Sequence, residues 1–481
     1  MTIRGHAAPA HSVVDAMRQW AVQTPHQLAL ANGATTFDFQ ALIIAIDTTA
    51  ERFRVAGIQT GDRVGTALPD GAEAVISSLA ALACGGVHAP IDHHLTATEK
   101  RDLVSATGIR WLVDQTGIHD LATPRTADPL GAGASAFLRF TSGTTGDAKG
   151  VLLSHASLLT RAEAAARALE LMPGTRVLWL LPLAYHWAAS VIAALVAGAG
   201  IVFGNRLRLR DTLAAAHTHS TTLAYASPWH CQRFATCPIG ELKPVHTLIC
   251  TTAPLARPIA DQLCKHHGIR LRQALGVIEC GLPLISAGTD DHSDGCAAGE
   301  VGFPQPGFSC RLRDVASDGS GELLITGPGL FDAYLDPWTP AQQVLVDGHF
   351  CTGDRAVIHA DGRVRILGRL KDLINVGGMK VFPQEIEATV ASHPAVVASH
   401  VYAVPDQRLG ETVGITIELQ PQVAADADAR ERLAHELRAW CRTHLAPLKQ
   451  PTVWVFAPIA RTANGKTKRH AGPSAAEPTD R

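Results

Sequence analysis

Apolar positions recur along this chain in two rhythms, and the change from one to the other divides it. Near the N-terminus Val13, Val14, Met17, Trp20 and Ala21 share one face of a helical wheel, with Ser12 placed to cap the helix and Pro25 to stop it. Helical stretches then alternate with short apolar runs at 63–68, 111–113, 177–181, 201–204, 221–225 and 245–251. That alternation predicts an α/β fold on largely parallel sheets. Two segments repeat one unit, "AVISSLAALACGGVHAPI" at 74–91 and "AASVIAALVAGAGIVFG" at 188–204, each reading as buried helix, glycine turn and buried strand. The second is uncharged, but it lies at the lower length limit for a membrane span and is rich in Ala and Gly, so no span is expected.

From 299 to 370 the rhythm shortens to alternating strands, "GEVGFPQPGFSCRLRDV", "GELLITGPG" and "RAVIHADGRVRILGR", the last interrupted by an Asp361-Gly362 turn. This predicts a small antiparallel or barrel subdomain. After Leu370 comes a compact α+β pattern: helix "PQEIEATVASHP", strands "VVASHVYAVPD" and "TVGITIEL", helix "ARERLAHELRAWCRTHL" and strand "TVWVFAP". The expected architecture is a large N-terminal domain, 1–370, of parallel-rich α/β sheets plus the small β subdomain, followed by a small α+β C-terminal domain, 371–481.

Composition narrows the partners. A formal net charge of -2 over 481 residues gives no electrostatic reason for nucleic acid or an anionic membrane, which leaves small molecules. The ten cysteines form no CxxC pair, so they read as reduced thiols of the cytoplasm. "MTIRGHAAPAH" at the start has no apolar stretch of the kind a secretory signal carries. His93-His94, His217-x-His219 and His266-His267 are expected in solvated or packing roles rather than around a metal.

One stretch carries chemistry on its face. In "RFTSGTTGDAKGVLLSH", 139–155, glycines let backbone N–H groups approach a ligand, Thr and Ser hydroxyls add donors, and Lys149 adds a point charge: a polyphosphate fits. It is not a Walker A loop, because the lysine lies three residues beyond Gly146 and is followed by Gly150. "ANGKTK" near the C-terminus imitates only the end of one.

Together with the late NGK lysine, TSGTTGxxKG resembles the adenylate-forming superfamily of acyl-CoA synthetases, luciferase-like enzymes and adenylation domains, AMP-dependent synthetases and ligases. The resemblance covers nearly the whole chain, through "GDRVGTALPDGAEAVISSLAALACGGVHAPID", "LPLAYHWA", "CTTAPL", "QALGVIE", "GEVGFPQPG", "GELLITGPGLFDAYL", "CTGD", "GRLKDLINVGGMKVFPQEIE" and "RTANGK" in the family's order. It implies an enzyme that joins a carboxylate to ATP at the α-phosphate, expels pyrophosphate, and passes the acyl group to a thiol.

The same resemblance assigns roles. Thr141, Ser142, Gly143, Thr144, Thr145, Gly146 and Lys149 would cradle the phosphates, and Glu279 would hold Mg²⁺. Asp354 would accept the ribose hydroxyls with help from Arg369, and adenine would lie against Thr252, Ala253 and Pro254 and against Gln273, Ala274 and Leu275. Lys466 would bridge the acid carboxylate and the α-phosphate, and Lys371 matches the hinge about which the C-terminal domain rotates between the two half-reactions. Tyr185, His186, Trp187, Ser190 and Gly276 would line the acid pocket, with His186 gating entry or contacting the carboxylate.

Three departures from the pattern stand out: Leu275 replaces an aromatic beside adenine, Ile278 replaces a threonine, and Thr251-Thr252 replace a glycine pair. No acidic residue occurs in 185–190, which argues against an α-amino acid and for an aryl or aliphatic acid. The expected cosubstrates are ATP with Mg²⁺, and CoA or the phosphopantetheine of an acyl carrier protein supplied in trans. The alternatives are a non-thiol nucleophile, an oxyacid such as nitrite, or a non-catalytic nucleotide-binding relative.

Overall fold

The computed structural model describes residues 11–140, 149–288, 299–377, 379–393, 395–420 and 427–460. The first helix runs Val13–Gln23, and Ser12 Oγ caps it by accepting the Asp15 N–H at 3.2 Å. Both repeated units form as expected: helix Ala72–Ala83 leads into strand Val87–Pro90, and helix Ile192–Val196 into strand Gly200–Phe203. The two strands pair in parallel with their neighbours, which explains why they are apolar on both faces.

Two large sheets form the N-terminal domain. In the thirteen-stranded sheet, strands Leu28–Asn32, Gly200–Phe203, Arg176–Trp179, Leu223–Ala226, Thr247–Cys250 and Arg270–Val277 run parallel. Halfway along Arg270–Val277 the neighbour changes: Gln273 is in parallel register with Cys250, while Ala274 is in antiparallel register with Ile285. Every later pair out to the edge strand Ser309–Arg313 is antiparallel.

The antiparallel strands expected after residue 299 are therefore present, with the Asp361-Gly362 turn between Phe350–Ile358 and Val364–Arg369. They extend the parallel sheet instead of closing a barrel. The physical reason is that Gly281–Ile285 offers its outer edge to Glu300–Pro304, so hydrogen bonding passes on without a break.

The eight-stranded sheet places Trp111–Asp114, Arg63–Thr66, Val87–Pro90 and Ser135–Phe140 in parallel. Gly150–Ser154 turns back antiparallel beside Ser135–Phe140, with Phe140 opposite Gly150. One apolar core joins the two sheets, with Phe137, Trp187 and Ile192 among its fully buried side chains.

Beyond Val364–Arg369 the chain passes through a short 3-10 turn, Leu370–Asp372, into a separate five-stranded sheet. Its helices Pro383–Ala391 and Ala427–His444 and strands Val396–Asp406, Gly410–Leu419 and Val453–Phe456 follow the expected order. Ile374, Ile386, Val413, Ile415 and Leu437 give it a core of its own. No helix among the described residues is long and apolar enough to cross a membrane. Nine cysteines are described, and no disulfide joins any two of them.

Candidate active site

The antiparallel strands Ser135–Phe140 and Gly150–Ser154 hold Phe140 opposite Gly150. Thr141, Ser142, Gly143, Thr144, Thr145 and Gly146 lie outside the described residues. Lys149 is described and exposed, and its ammonium lies 4.8 Å from the ring centroid of Tyr334. On the other limb Arg139 donates to the Tyr185 carbonyl at 2.7 Å and stands 4.9 Å over the Tyr185 ring. That contact ties the strand pair to the segment expected to bind the acid.

Glu279 sits in the turn between Arg270–Val277 and Gly281–Ile285. Its carboxylate is buried and accepts the Tyr334 hydroxyl at 3.0 Å. Burial raises its pKa above the ordinary value; the Tyr334 hydrogen bond and the charges of Arg161 and Arg369 oppose this without cancelling it.

The turn itself is fixed from behind by Arg161, a fully buried arginine on helix His155–Ala168. It donates to the carbonyls of Ile278 at 2.6 Å, Glu279 at 3.0 Å and Gly329 at 2.7 Å. Burial lowers the Arg161 pKa to about 10, so the guanidinium keeps its charge at neutral pH. Glycine is required on both sides of it: a Cβ at Gly281 would come within 2.9 Å of the arginine side chain, and one at Gly329 within 2.5 Å.

Asp354 and Arg369 face each other across neighbouring antiparallel strands, with Arg369 Nε 2.8 Å from the Asp354 carboxylate. Arg369 also donates to the Thr352 carbonyl at 2.9 Å. Its charge is also felt, more weakly, at Glu279.

The walls expected around adenine come together as well. Thr251 Oγ1 donates to the Ala274 carbonyl at 2.9 Å, and Leu255 N donates to Gln273 Oε1 at 3.1 Å. Gln273 Nε2 is a buried donor with no partner among the described residues. Thr252 has φ +82, a left-handed conformation that strains a β-branched residue. Leu275 is half-buried and Gly276 exposed at the same edge.

The acid segment folds as helix Leu183–His186 followed by a π-helical turn, Trp187–Val191. That turn aims neighbouring side chains in different directions. Half-buried His186 lies 6.1 Å from the Trp179 ring and 6.2 Å from the Tyr225 ring, and Ser190 Oγ donates to Tyr225 Oη at 2.9 Å. Burial raises the Tyr225 pKa to about 12, which keeps it an O–H group. Trp187, by contrast, stacks on Phe137 at 5.4 Å and meets His88 edge-on at 4.5 Å, inside the core between the sheets.

Lys371 is exposed in the turn Leu370–Asp372, and Lys466 lies outside the described residues. Asp92, His93 and His94 bring one ligand-type atom each within 4.8 Å of one another, and the two imidazoles pack together at 3.8 Å between centroids. Sequence reasoning missed Arg139, Arg161, Tyr225 and Tyr334. A signal for Arg161 existed: it interrupts the apolar face formed by Leu158, Ala162 and Ala165.

Comparison with known proteins accounts for this arrangement. Residues 17–335 match the family model described as "AMP-binding enzyme", and 385–466 match "AMP-binding enzyme C-terminal domain". The chain belongs to the AMP-binding enzyme family, the adenylate-forming superfamily that includes the AMP-forming acid–thiol ligases. A feruloyl-CoA synthase of Amycolatopsis sp is 27% identical over 474 residues, covering 92% of this chain and 94% of that protein. A long-chain-fatty-acid–CoA ligase of Yersinia pestis is 31% identical over 342 residues, 67% of this chain and 58% of that protein. In fold, the chain resembles ATP-bound MatB from Rhodopseudomonas palustris with a TM-score of 0.81 at 23% identity, covering 95% of this chain and 97% of that one.

Proposed function

We propose that this chain is an ATP- and Mg²⁺-dependent ligase that adenylates an uncharged aryl or aliphatic acid and transfers the acyl group to a thiol, that of CoA in the first instance. The observation that carries the reading is that two unlike buried carboxylates, Asp354 on a strand paired to Arg369 and Glu279 in a turn between two strands of the same sheet, both feel the charge of Arg369, with Glu279 joined through Tyr334 to Lys149. A buried, under-compensated carboxylate is a hard oxygen donor that suits a divalent cation, so Glu279 fits Mg²⁺. When bound, Mg²⁺ would supply positive charge at the phosphate oxygens.

The chain's own residues do the rest by positioning. Asp354, held by Arg369, accepts the ribose hydroxyls, and Thr252, Ala253, Pro254, Gln273, Ala274 and Leu275 enclose adenine. Lys149 and the hydroxyls of 141–146 bind the phosphates that leave as pyrophosphate. Lys466 neutralises the charge that builds between acid and α-phosphate. The C-terminal domain, 371–481, then rotates about Lys371 and opens the site to the thiol.

For the acid, the rings of Trp179, His186 and Tyr225 gather beside the segment 185–190, with the Ser190–Tyr225 hydroxyl pair and the His186 imidazole as its polar groups. That favours an aryl acid, and the feruloyl-CoA synthase relative agrees. CoA is the acceptor that the ligase relatives name; a carrier protein acting in trans is the second acceptor to test. Described cysteines that form no disulfide with one another suit the reducing cytoplasm.

Acid-dependent exchange of labelled pyrophosphate into ATP, run over a panel of aryl and alkyl acids, tests the reading. Exchange with an aryl acid and acyl-CoA formation on adding CoA are expected; ATP binding without exchange for any acid would remove it. Lys466→Ala is expected to abolish exchange and to spare thioester formation from supplied acyl-AMP, which single-turnover assays of the two half-reactions would resolve.

A further inference from the structure

Tyr334 touches both groups to which the polyphosphate site is ascribed. Its hydroxyl donates to Glu279 Oε1 at 3.0 Å, and the Lys149 ammonium lies 4.8 Å from its ring centroid. The phenol is buried, and Phe331 supports its ring at 4.7 Å. Burial next to the Glu279 carboxylate pushes its ionisation far above the ordinary tyrosine value, so it remains a donor.

The backbone that carries Tyr334 is stitched to both sides of the site. Tyr334 is in register with Val151, and Leu335 N donates to the Gly150 carbonyl at 2.7 Å, one residue from Lys149. In the other direction Phe331 N donates to the Glu279 carbonyl at 2.8 Å. Asp332, between them, accepts the Ser154 N–H at 2.6 Å and the Ser157 hydroxyl at 3.1 Å, at the start of the helix that bears Arg161.

We propose that Tyr334 is a positioning residue that couples the metal carboxylate to the phosphate lysine: its hydroxyl orients Glu279 for the cation, and its ring seats Lys149 beside it. This rests on the reading of Glu279 as the Mg²⁺ ligand and Lys149 as a phosphate ligand. A cation over a ring is held less tightly than one hydrogen-bonded to a phosphate oxygen, so the ring keeps the lysine at hand and yields it when the triphosphate arrives.

Two substitutions separate the contacts. Tyr334→Phe keeps the ring and removes the hydroxyl; Tyr334→Leu removes both. Calorimetric titration of the full chain with ATP, at a series of Mg²⁺ concentrations and without acid, reads the first contact independently of turnover. Tyr334→Phe is expected to raise the Mg²⁺ concentration for half-maximal ATP binding by about tenfold, the size of effect seen when a group that orients a metal ligand is removed. In pyrophosphate exchange it lowers kcat and leaves the KM for ATP near wild type at saturating Mg²⁺, whereas Tyr334→Leu also raises that KM.

A residue that merely fills space would lower the melting temperature and leave the Mg²⁺ midpoint where it was, and that result for Tyr334→Phe would overturn the proposal. Should Tyr334→Leu fail to fold, Tyr334→Phe decides alone. Glu279→Gln serves as the control: if it leaves the Mg²⁺ dependence intact, the metal reading falls and the proposal with it, whereas an altered Glu279→Gln beside an unaltered Tyr334→Phe removes the coupling only.

Discussion

Glu279, in a turn between two strands, and Asp354, on another strand of the same sheet, are both buried carboxylates, yet they are furnished in opposite ways. Asp354 has a guanidinium at 2.8 Å, so its charge is answered before any ligand arrives. Glu279 has a phenol at 3.0 Å, and Arg161, whose charge it feels, spends its hydrogen bonds on backbone carbonyls. A carboxylate already paired is suited to neutral donors such as sugar hydroxyls. One left short of positive charge is suited to a cation.

Exchanging the amide for the acid at each position tests that contrast. Glu279→Gln is expected to cut pyrophosphate exchange by about a hundredfold or more, because on the proposed reading a neutral amide holds the cation less well, and the cation is needed where negative charge gathers in the transition state. Asp354→Asn should cost about tenfold, appearing in the KM for ATP and not in the response to Mg²⁺, since hydrogen bonds to hydroxyls are weakened and no cation is lost. Equal losses with equal Mg²⁺ dependence would erase the distinction between the two carboxylates.

A third buried ionisable group has neither kind of partner. His88 is fully buried, neither ring nitrogen is hydrogen-bonded among the described residues, and burial lowers its pKa to about 3. The unfolded chain takes up a proton near the ordinary value of 6.5, and the folded chain does so only near 3. Stability therefore falls as pH drops through that window, by at most about 1.4 kcal/mol per pH unit from this group. His93 lines the same hollow and is lowered in the same direction, while Asp70 and Asp92 line it as well. His88→Leu should flatten the acid side of a melting-temperature profile; an unchanged profile would show that His88 is not what sets it.

The smallest effect separates the two turns that carry the site. The Glu279 turn is clamped by Arg161, whereas the wall proposed for adenine contains Thr252 at φ +82. Thr252→Gly is expected to stabilise the fold by about 1 kcal/mol, the relieved strain exceeding the added chain entropy. Thermal or denaturant unfolding checks this, and destabilisation would mean that the threonine side chain contributes more than its backbone costs.

How far the sequence announced this structure depended on the kind of signal. The repeated helix–glycine–strand units and the C-terminal α+β order were legible because apolar periodicity reports burial directly. The ordered motifs marked Glu279, Asp354 and Arg369, and the structure brings these three together. The continuity of the long sheet was not legible, since no local pattern says that a strand like Arg270–Val277 will serve a parallel neighbour with one half and an antiparallel one with the other. Arg161, Tyr225 and Tyr334 were missed because each acts on a partner distant in the chain, Arg161 on carbonyls 117 and 118 positions away, for example. Trp187 belongs to the expected acid segment, but its indole packs between the sheets because the π-helical turn sets its direction, which residue identity does not encode.

That turn makes chain length a variable of the proposed acid site. Each residue of a regular helix advances the direction of its side chain by about 100°. Removing one residue from Trp187–Val191, enough to restore ordinary helical winding, would swing Tyr185 and His186 around the axis relative to Ile192 and everything after it. Anyone redesigning the acid preference of this enzyme thus has an insertion or deletion point to work with, where the flanking side chains can be turned to new directions around the proposed pocket.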